Sequence, residues 1–449
     1  MSSCAERILR QTLPLLGLLS ALWGCAERHL APELAGTGAR SRTGAVFADS
    51  TRRGWNLVIA RLKPDVEVSD IEATDDCDAA DYVPELRLVL FRDRASVTGQ
   101  LMRERFASDP RLEYSETDLG ARIVESRQSS VSFSESERAW SDVADQGALE
   151  RVGAAEAQAY ARGAGVLVAI LDTGIELDHP ALASQIQLPG IEQGSVTAPG
   201  DDRAEQVDTN GDGVVDGALG HGTHVAGIVH AIAPDARLLP VRVLDSDGVG
   251  DAFAVAHGIV AAVKSGALVI NLSLGVLGAS NAVADAIDFA SRRGVTIVGA
   301  AGNSGLEAVD LPAAYAPVIA VAGTDSTDQK ADFSSYGPDV DVAAPSTGIL
   351  STYVGGGYAL WSGTSMAAPF ASGIAALLRG YLAQLGLDSP SLTEDLLRRG
   401  SEPLATVDPT FGWQLGAGRV SAAGSVMQLV TGLGQAAARA RPGAESAKR

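Results

Sequence analysis

Positive charge is scarce in this chain. Of 449 residues, 35 are Lys or Arg against 55 Asp or Glu, a formal net charge of −20. Nucleic acid is therefore a poor partner, because phosphate binding needs clustered Lys and Arg. Adhesion through a basic patch is equally disfavoured. Cysteine is nearly absent: Cys4, Cys25 and Cys77. Three thiols make no disulfide framework, and no Cys-x-x-Cys pair exists for zinc or redox work. Aromatics are only 5% while glycines number 50, which suits tight turns and helices packed through small residues. No apolar stretch beyond the first 25 residues reaches the 18 needed to span a membrane. What remains is an ordinary globular composition, 46% apolar and 20% charged, long enough for two or three domains.

The first residues read as an address. Arg7 and Arg10 precede the apolar run 13–22, LPLLGLLSAL, which is too short for a span and has the layout of a bacterial export signal. Leu22-Trp23-Gly24-Cys25 then follows the pattern of a lipobox, with Cys25 as the lipidated residue of a cell-envelope lipoprotein. Two or more acyl chains there make a firm membrane anchor. The alternative is free secretion after a cut near Gly24. Lipidation leaves Cys77 as the one free thiol of the mature chain.

Residues 25–53, rich in Ala, Gly, Arg and Ser, read as a tether. Residues 54–124 read as a small α+β unit. Its strands are expected at 55–62, 86–91 and 112–124, and its helix at 95–107 with Leu101, Met102 and Phe106 on one side. Residues 125–145 are Ser, Glu and Gln rich and read as a linker. From 146 to 430 the pattern changes. Apolar β-type runs at 166–171, 238–244, 268–272, 295–299, 318–321 and 340–343 alternate with helical segments at 224–232, 252–264, 282–293 and 366–382. Runs buried on both faces and separated by helices predict an α/β fold, a doubly wound and mostly parallel sheet. Functional groups in such sheets gather at the carboxyl ends of the strands. Residues 431–449 read as a fraying tail.

Polar residues stand at three such ends. Asp172-Thr173-Gly174 follows the run 166–171. Alone it is a turn, or half of an aspartic-protease pair, but a second Asp-Thr-Gly is missing. Gly220-His221-Gly222-Thr223-His224 opens a helix of small residues that can pass close to a sheet. The two histidines lack a third metal ligand at suitable spacing, so one catalytic and one packed histidine is the expectation. Ser362-Gly363-Thr364-Ser365 opens an apolar helix, whose N-terminus favours developing negative charge. Ser365 alone is an N-cap as readily as a nucleophile. Together the three segments form a candidate triad: Ser365 attacks a carbonyl, His221 carries the proton and Asp172 orients the imidazole. Asn303, after the run 295–299, supplies an amide for the oxyanion, with the Ser365 N–H beside it.

The motifs VAILDTGI, GHGTHVAGI, VINLSLG, VGAAGNSG, FSSYGPDVDVAAP and WSGTSMAAP, in this order and followed by LGAGRVSAA, resemble those of the subtilisin-like serine proteases, the subtilases of peptidase family S8. The resemblance runs from about residue 140 to 430. It implies Asp172, His221 and Ser365 as triad and Asn303 as oxyanion donor. Ser273, Leu274 and Gly275, with Ala301 and Gly302, match the two segments that flank the substrate and wall its first pocket. DPRLEYSETD resembles the end of the family's inhibitory pro-domain, a ferredoxin-like unit. Residues 54–124 then assist folding and cap the site as an intramolecular inhibitor, with self-cleavage within 124–145. The implied protein is an exported serine endopeptidase made as a zymogen, acting on peptide or protein substrates without a cofactor for the chemistry. The alternative is a catalytically silent member kept as a binding protein.

Three features depart from or add to the pattern. Phe370 and Ala371-Ser372 replace the usual residues after the Pro of the serine motif, which predicts altered packing. Asp310 falls where the family lines the bottom of the first pocket. A carboxylate there favours Lys or Arg in the substrate, unless it faces solvent. Asp208, Asn210, Asp212, Val214 and Asp216 have the oxygen spacing of a calcium loop. Leu219 replaces the closing Glu of an EF-hand, so a structural calcium or a solvated acidic turn are the two readings.

Overall fold

The computed structural model describes residues 57–94, 99–127, 139–188 and 200–439. The expected export signal, Cys25 and the tether lie outside these residues, as do the last ten residues and most of the linker.

The first unit has strands Leu57–Leu62, Cys77–Val83, Leu88–Asp93 and Leu112–Thr117 and helices Val68–Glu72 and Gln100–Phe106. The strands pair antiparallel in the spatial order second, third, first, fourth, the β-α-β-β-α-β arrangement of a split βαβ unit. Alternation on the first strand serves two cores. Val58, Ala60 and Leu62 pack with Ile71, Phe91, Met102 and Phe106 under the unit's own helices. Ile59 turns the other way, with Val83, Leu88 and Leu90, against the second unit. Leu101, expected on the buried side of its helix, is 62% exposed. Position 101 stands about 100° round the helix from 102 and about 140° from 106, and so faces away from Met102 and Phe106. Cys77 is buried, and burial pushes its thiol up to about 12, so it stays a neutral packing residue.

The second unit is built on six parallel strands. Their spatial order is Val342–Pro345, Val318–Thr324, Thr296–Ala300, Val269–Leu272, Leu167–Asp172, Arg237–Arg242. Every neighbouring pair is parallel. Every residue of Leu167–Asp172 and of Val269–Leu272 is buried, as a sheet covered on both faces demands. The helices Ala252–Lys264 and Asn281–Arg292 cover one face with the first unit outside them. The other face receives His221–Ile232 and the central helix Thr364–Gln384. That central helix is long and apolar enough to cross a membrane by composition, but 94% of its apolar window is buried inside the fold. Phe370 is part of that buried core.

Some boundaries differ from the sequence expectation. Helix Trp140–Ala144 packs Val143 against Leu350 and Tyr358, so residues 139–145 belong with the second unit. Residues 431–439 continue the helix Ala422–Arg439. Gly120–Ile123 leaves the first unit as a separate strand and pairs only with the second.

Candidate active site

In the six-stranded sheet the strand order reverses between Leu167–Asp172 and Val269–Leu272. Connections diverge on either side of such a point and leave a crevice beyond the strand ends. Asp172 closes the first of these strands, and Ser273 follows the second.

The Asp172 carboxylate is fixed first by its own turn. Thr173 N–H donates to its Oδ1 at 2.7 Å. His221 Nδ1–H donates to the same oxygen at 2.7 Å. The helix His221–Ile232 comes so near because residue 222 is glycine. A Cβ there would stand 2.1 Å from the Gly174 carbonyl oxygen and 3.0 Å from the Asp172 Cβ. Instead, Gly222 N–H donates to Thr173 Oγ1 at 3.0 Å. Burial by itself disfavours a charged His221. The carboxylates of Asp172 and Glu125 outweigh it and raise the imidazole to about 10. His224 is the packed histidine. Its Nε2–H is shared between the carbonyls of Ile349 and Ala359, and burial, with the charge of His221, lowers it to about 3.

Asp202 holds the start of the helix His221–Ile232 from outside. The cap residue Gly220 offers no side chain. Asp202 accepts from Gly220 N–H at 3.2 Å, Thr223 N–H at 3.2 Å and Thr223 Oγ–H at 2.7 Å. Burial raises this carboxyl to about 6 against those hydrogen bonds, and the charge of Asp172 adds to the effect.

Ser365 lies in the first turn of Thr364–Gln384. Its turn is tied to the Asn303 loop. Thr364 N–H and Oγ–H both donate to Asn303 Oδ1 at 2.9 Å, and Gly302 N–H donates to Thr364 Oγ1 at 3.1 Å. With Oδ1 committed, the amide's NH2 end is the one left for a ligand. Pro369 lacks the N–H that would reach back to the Ser365 carbonyl. Ser273 Oγ–H donates to that carbonyl instead, at 2.9 Å.

The crevice already holds a strand. Gly120–Ile123 lies between Leu274–Val276 and Val249–Asp251, antiparallel to both. Ile123 faces Leu274 and Arg122 faces Gly275. Val124 follows, 2% exposed, with Cγ1 3.4 Å from where a Cβ on Gly275 would stand. Asp310 does not face away. Its Oδ2 is 2.5 Å from a Cβ position on Gly302 and 3.9 Å from that on Gly275, between the two expected walls of the pocket. Glu125 comes next, and its Oε2 accepts Ser365 Oγ–H at 2.8 Å.

The first unit docks through carboxylates at two helix starts. Glu116 accepts from Ser280 Oγ–H, Asn281 N–H, Asn281 Nδ2–H and Ala282 N–H, ahead of Asn281–Arg292. Asp118 accepts from Phe253 N–H at the start of Ala252–Lys264. Both use the free N–H groups and the positive end of a helix.

The calcium expectation meets no cage. Among the described residues no group of three or more His, Cys, Asp or Glu side chains is arranged to hold a metal. Asp208 accepts from Gly211 and Gly213 N–H, Asn210 from Asp212 N–H, and Asp212 from Val214 N–H. Asp216 turns to Glu205, Gln206 and Val207 N–H and to Ser246 Oγ–H. These oxygens close the loop's own turns.

The sequence reading missed Glu125 and Asp202, and it took 112–124 as one strand where the structure has two, Leu112–Thr117 and Gly120–Ile123. The signal for the break was present: Asp118 and Gly120 interrupt the run 112–124.

A buried serine, imidazole and carboxylate at a sheet's switch point, beside an Asn amide, are the parts of a serine hydrolase. The comparisons name the family. The model of peptidase S8, the subtilase family, matches residues 163–413, and the chain belongs to that family of serine proteases. Thermitase of Thermoactinomyces vulgaris is 42% identical over 239 residues, 51% of this chain and 80% of thermitase. Subtilisin BL of Lederbergia lenta is 41% identical over 226 residues, 48% of this chain and 77% of that protein. The crystal structure of fervidolysin from Fervidobacterium pennivorans, a keratinolytic enzyme related to subtilisin, matches with a TM-score of 0.66 at 24% identity. That match covers 83% of this chain and 61% of fervidolysin, and shows the fold.

Proposed function

We propose that this chain is an exported serine endopeptidase made as a zymogen, with Ser365 as nucleophile, His221 as general base and Asp172 as its orienting partner. Ser365 Oγ attacks the carbonyl carbon while His221 Nε2 takes its proton. Asp172 holds the Nδ1–H and stabilises the imidazolium. The oxyanion is met by the Asn303 amide and the Ser365 N–H, a first-turn donor without an intrahelical acceptor. His221 gives the proton to the departing amine, and water then hydrolyses the acyl ester with the same base. The observation that carries this reading is the 2.7 Å His221–Asp172 pair buried in the same site as the Ser365 hydroxyl.

The first unit is the inhibitory pro-domain, and the first bond cut is Val124–Glu125. The pairing of Gly120–Ile123 supports this, since it lays the chain along Ser273, Leu274 and Gly275 as a substrate would lie and sets Val124 in the pocket. Asp310 gives that pocket a carboxylate, which favours Lys or Arg in substrates. The run 13–22 and Cys25 support export and a lipid anchor.

Labelling with a fluorophosphonate after incubation tests the assignment. Wild type should take one label, mapped to Ser365, and hydrolyse casein, while Ser365→Ala does neither. Absence of both in wild type would make the chain a catalytically silent binding protein.

A further inference from the structure

Cleft occupation by 120–123 is a steric block. Glu125 does something else. It stands on the leaving-group side of the proposed scissile bond, and its side chain is 3% exposed. Oε2 accepts the Ser365 hydroxyl at 2.8 Å and lies 3.4 Å from His221 Nε2. One carboxylate oxygen thus occupies the place between nucleophile and base. Oε1 is buried without a hydrogen-bond partner. It stands 2.0 Å from where a Cβ on Gly363 would be, so the carboxylate fits only because the residue two before the nucleophile is glycine.

We propose that Glu125 is a chemical latch: in the uncut chain its carboxylate takes the Ser365 hydroxyl away from His221 and ion-pairs the imidazole, leaving the nucleophile without a base until the side chain withdraws. The inference rests on Ser365 and His221 being nucleophile and base. His221 has Asp172 on one nitrogen and Glu125 on the other. The remaining groups around it are His224 on its own helix, the edge-on Trp361 ring at 5.2 Å, and Asp202, which acts through Asp172. Two carboxylates outweigh burial and keep the imidazole protonated at neutral pH. A protonated imidazole accepts no proton from serine. Cutting Val124–Glu125 makes Glu125 a free N-terminus, no longer held by the strand before it, so the latch works once and is discarded with the cut.

The test uses the full chain, wild type beside Glu125→Gln, which keeps the shape and removes the charge. Fluorophosphonate labelling of the still-intact chain is followed by mass across pH, with the splitting rate read in parallel. The Gln variant should label about 100- to 10,000-fold faster at pH 7, the scale of a restored general base. Its labelling should rise at lower pH than wild type, which rises only toward pH 10. Glu125→Asp should stay closer to wild type than to Gln. Labelling at equal rates with superimposed pH profiles overturns the latch and leaves the triad standing. Absence of labelling in both intact chains with labelling after splitting leaves the block to the strand and overturns the latch, whereas absence before and after splitting overturns the triad assignment and the latch with it. Differing label rates in chains that never split support the latch and reject only the cleavage site.

Discussion

Removing the Ser273 hydroxyl should destabilise the Ser365 helix more than its small size suggests. In Thr364–Gln384 the N–H of position 369 would ordinarily donate to the Ser365 carbonyl, but that position is proline. Ser273 Oγ–H fills the vacancy at 2.9 Å and accepts Asn271 Nδ2–H at 2.9 Å. All three residues are buried. Ser273→Ala therefore leaves a buried carbonyl and a buried amide N–H without partners, at about 1–3 kcal/mol each. Some relaxation brings the expected loss to about 2–4 kcal/mol, or roughly 3–7 °C in a unit of this size. The assay is scanning calorimetry in a Ser365→Ala background, which prevents self-cleavage and keeps the carbonyl. Pro369→Ala restores a backbone N–H at the right spacing. The double substitution should then recover about 1–2 kcal/mol relative to the sum of the singles, a coupling that a mutant cycle isolates. Losses that add within about 0.5 kcal/mol would refute the exchange of donors.

Four further outcomes follow from the site. Asn303→Ala should lower kcat with little change in KM; in subtilisin itself the loss for such an Asn is about 100- to 1,000-fold, and an unchanged kcat in steady-state peptide hydrolysis would remove the residue from the oxyanion site. Asp202 has its folded pKa raised from 3.8 to about 6, so its contribution to stability is fully present below pH 3.8 and is lost as pH rises through about 6. The window amounts to about 3 kcal/mol, and Asp202→Asn should remove that component of the Tm–pH curve in the Ser365→Ala background. Val124→Arg should speed splitting of the full chain by giving the Asp310 carboxylate a cation, and Asp310→Asn should cancel the gain; equal rates in a gel time course would count against a charged pocket. Glu116→Ala removes an acceptor of four hydrogen bonds at a helix start. It should loosen the first unit by about 1–3 kcal/mol, seen as faster hydrogen exchange across Leu57–Leu62 and Asn281–Arg292.

The legible parts of this chain were those whose burial is symmetrical. The run 166–171 is apolar throughout, and 268–272 is apolar but for Asn271, because both sheet faces are covered, and helix Ala252–Lys264 fell within its expected bounds. Asp172, His221, Asn303 and Ser365 were legible as motif residues, and the fold brings all four to one crevice. The strand Cys77–Val83 was not, because CDAADYV carries an exposed Asp78 and a buried Asp81 and reads as a turn-rich stretch. Helix Val68–Glu72 is too short to show a period. The acidic spacing 208–216 proved to be a series of Asx turns closed by Asp208, Asn210 and Asp212. Glu125 lay hidden for a different reason. Its place depends on Ile123 pairing with Leu274, a contact between distant parts of the chain that local pattern does not encode.

The most direct measurement of the central claim is the intact mass and N-terminal sequence of the products when residues 26–449 are incubated as wild type and as Ser365→Ala. The account predicts that wild type splits to give a large fragment beginning at Glu125 while the Ser365→Ala chain stays whole. Splitting at that bond in both chains would contradict it, because the cut would then owe nothing to Ser365.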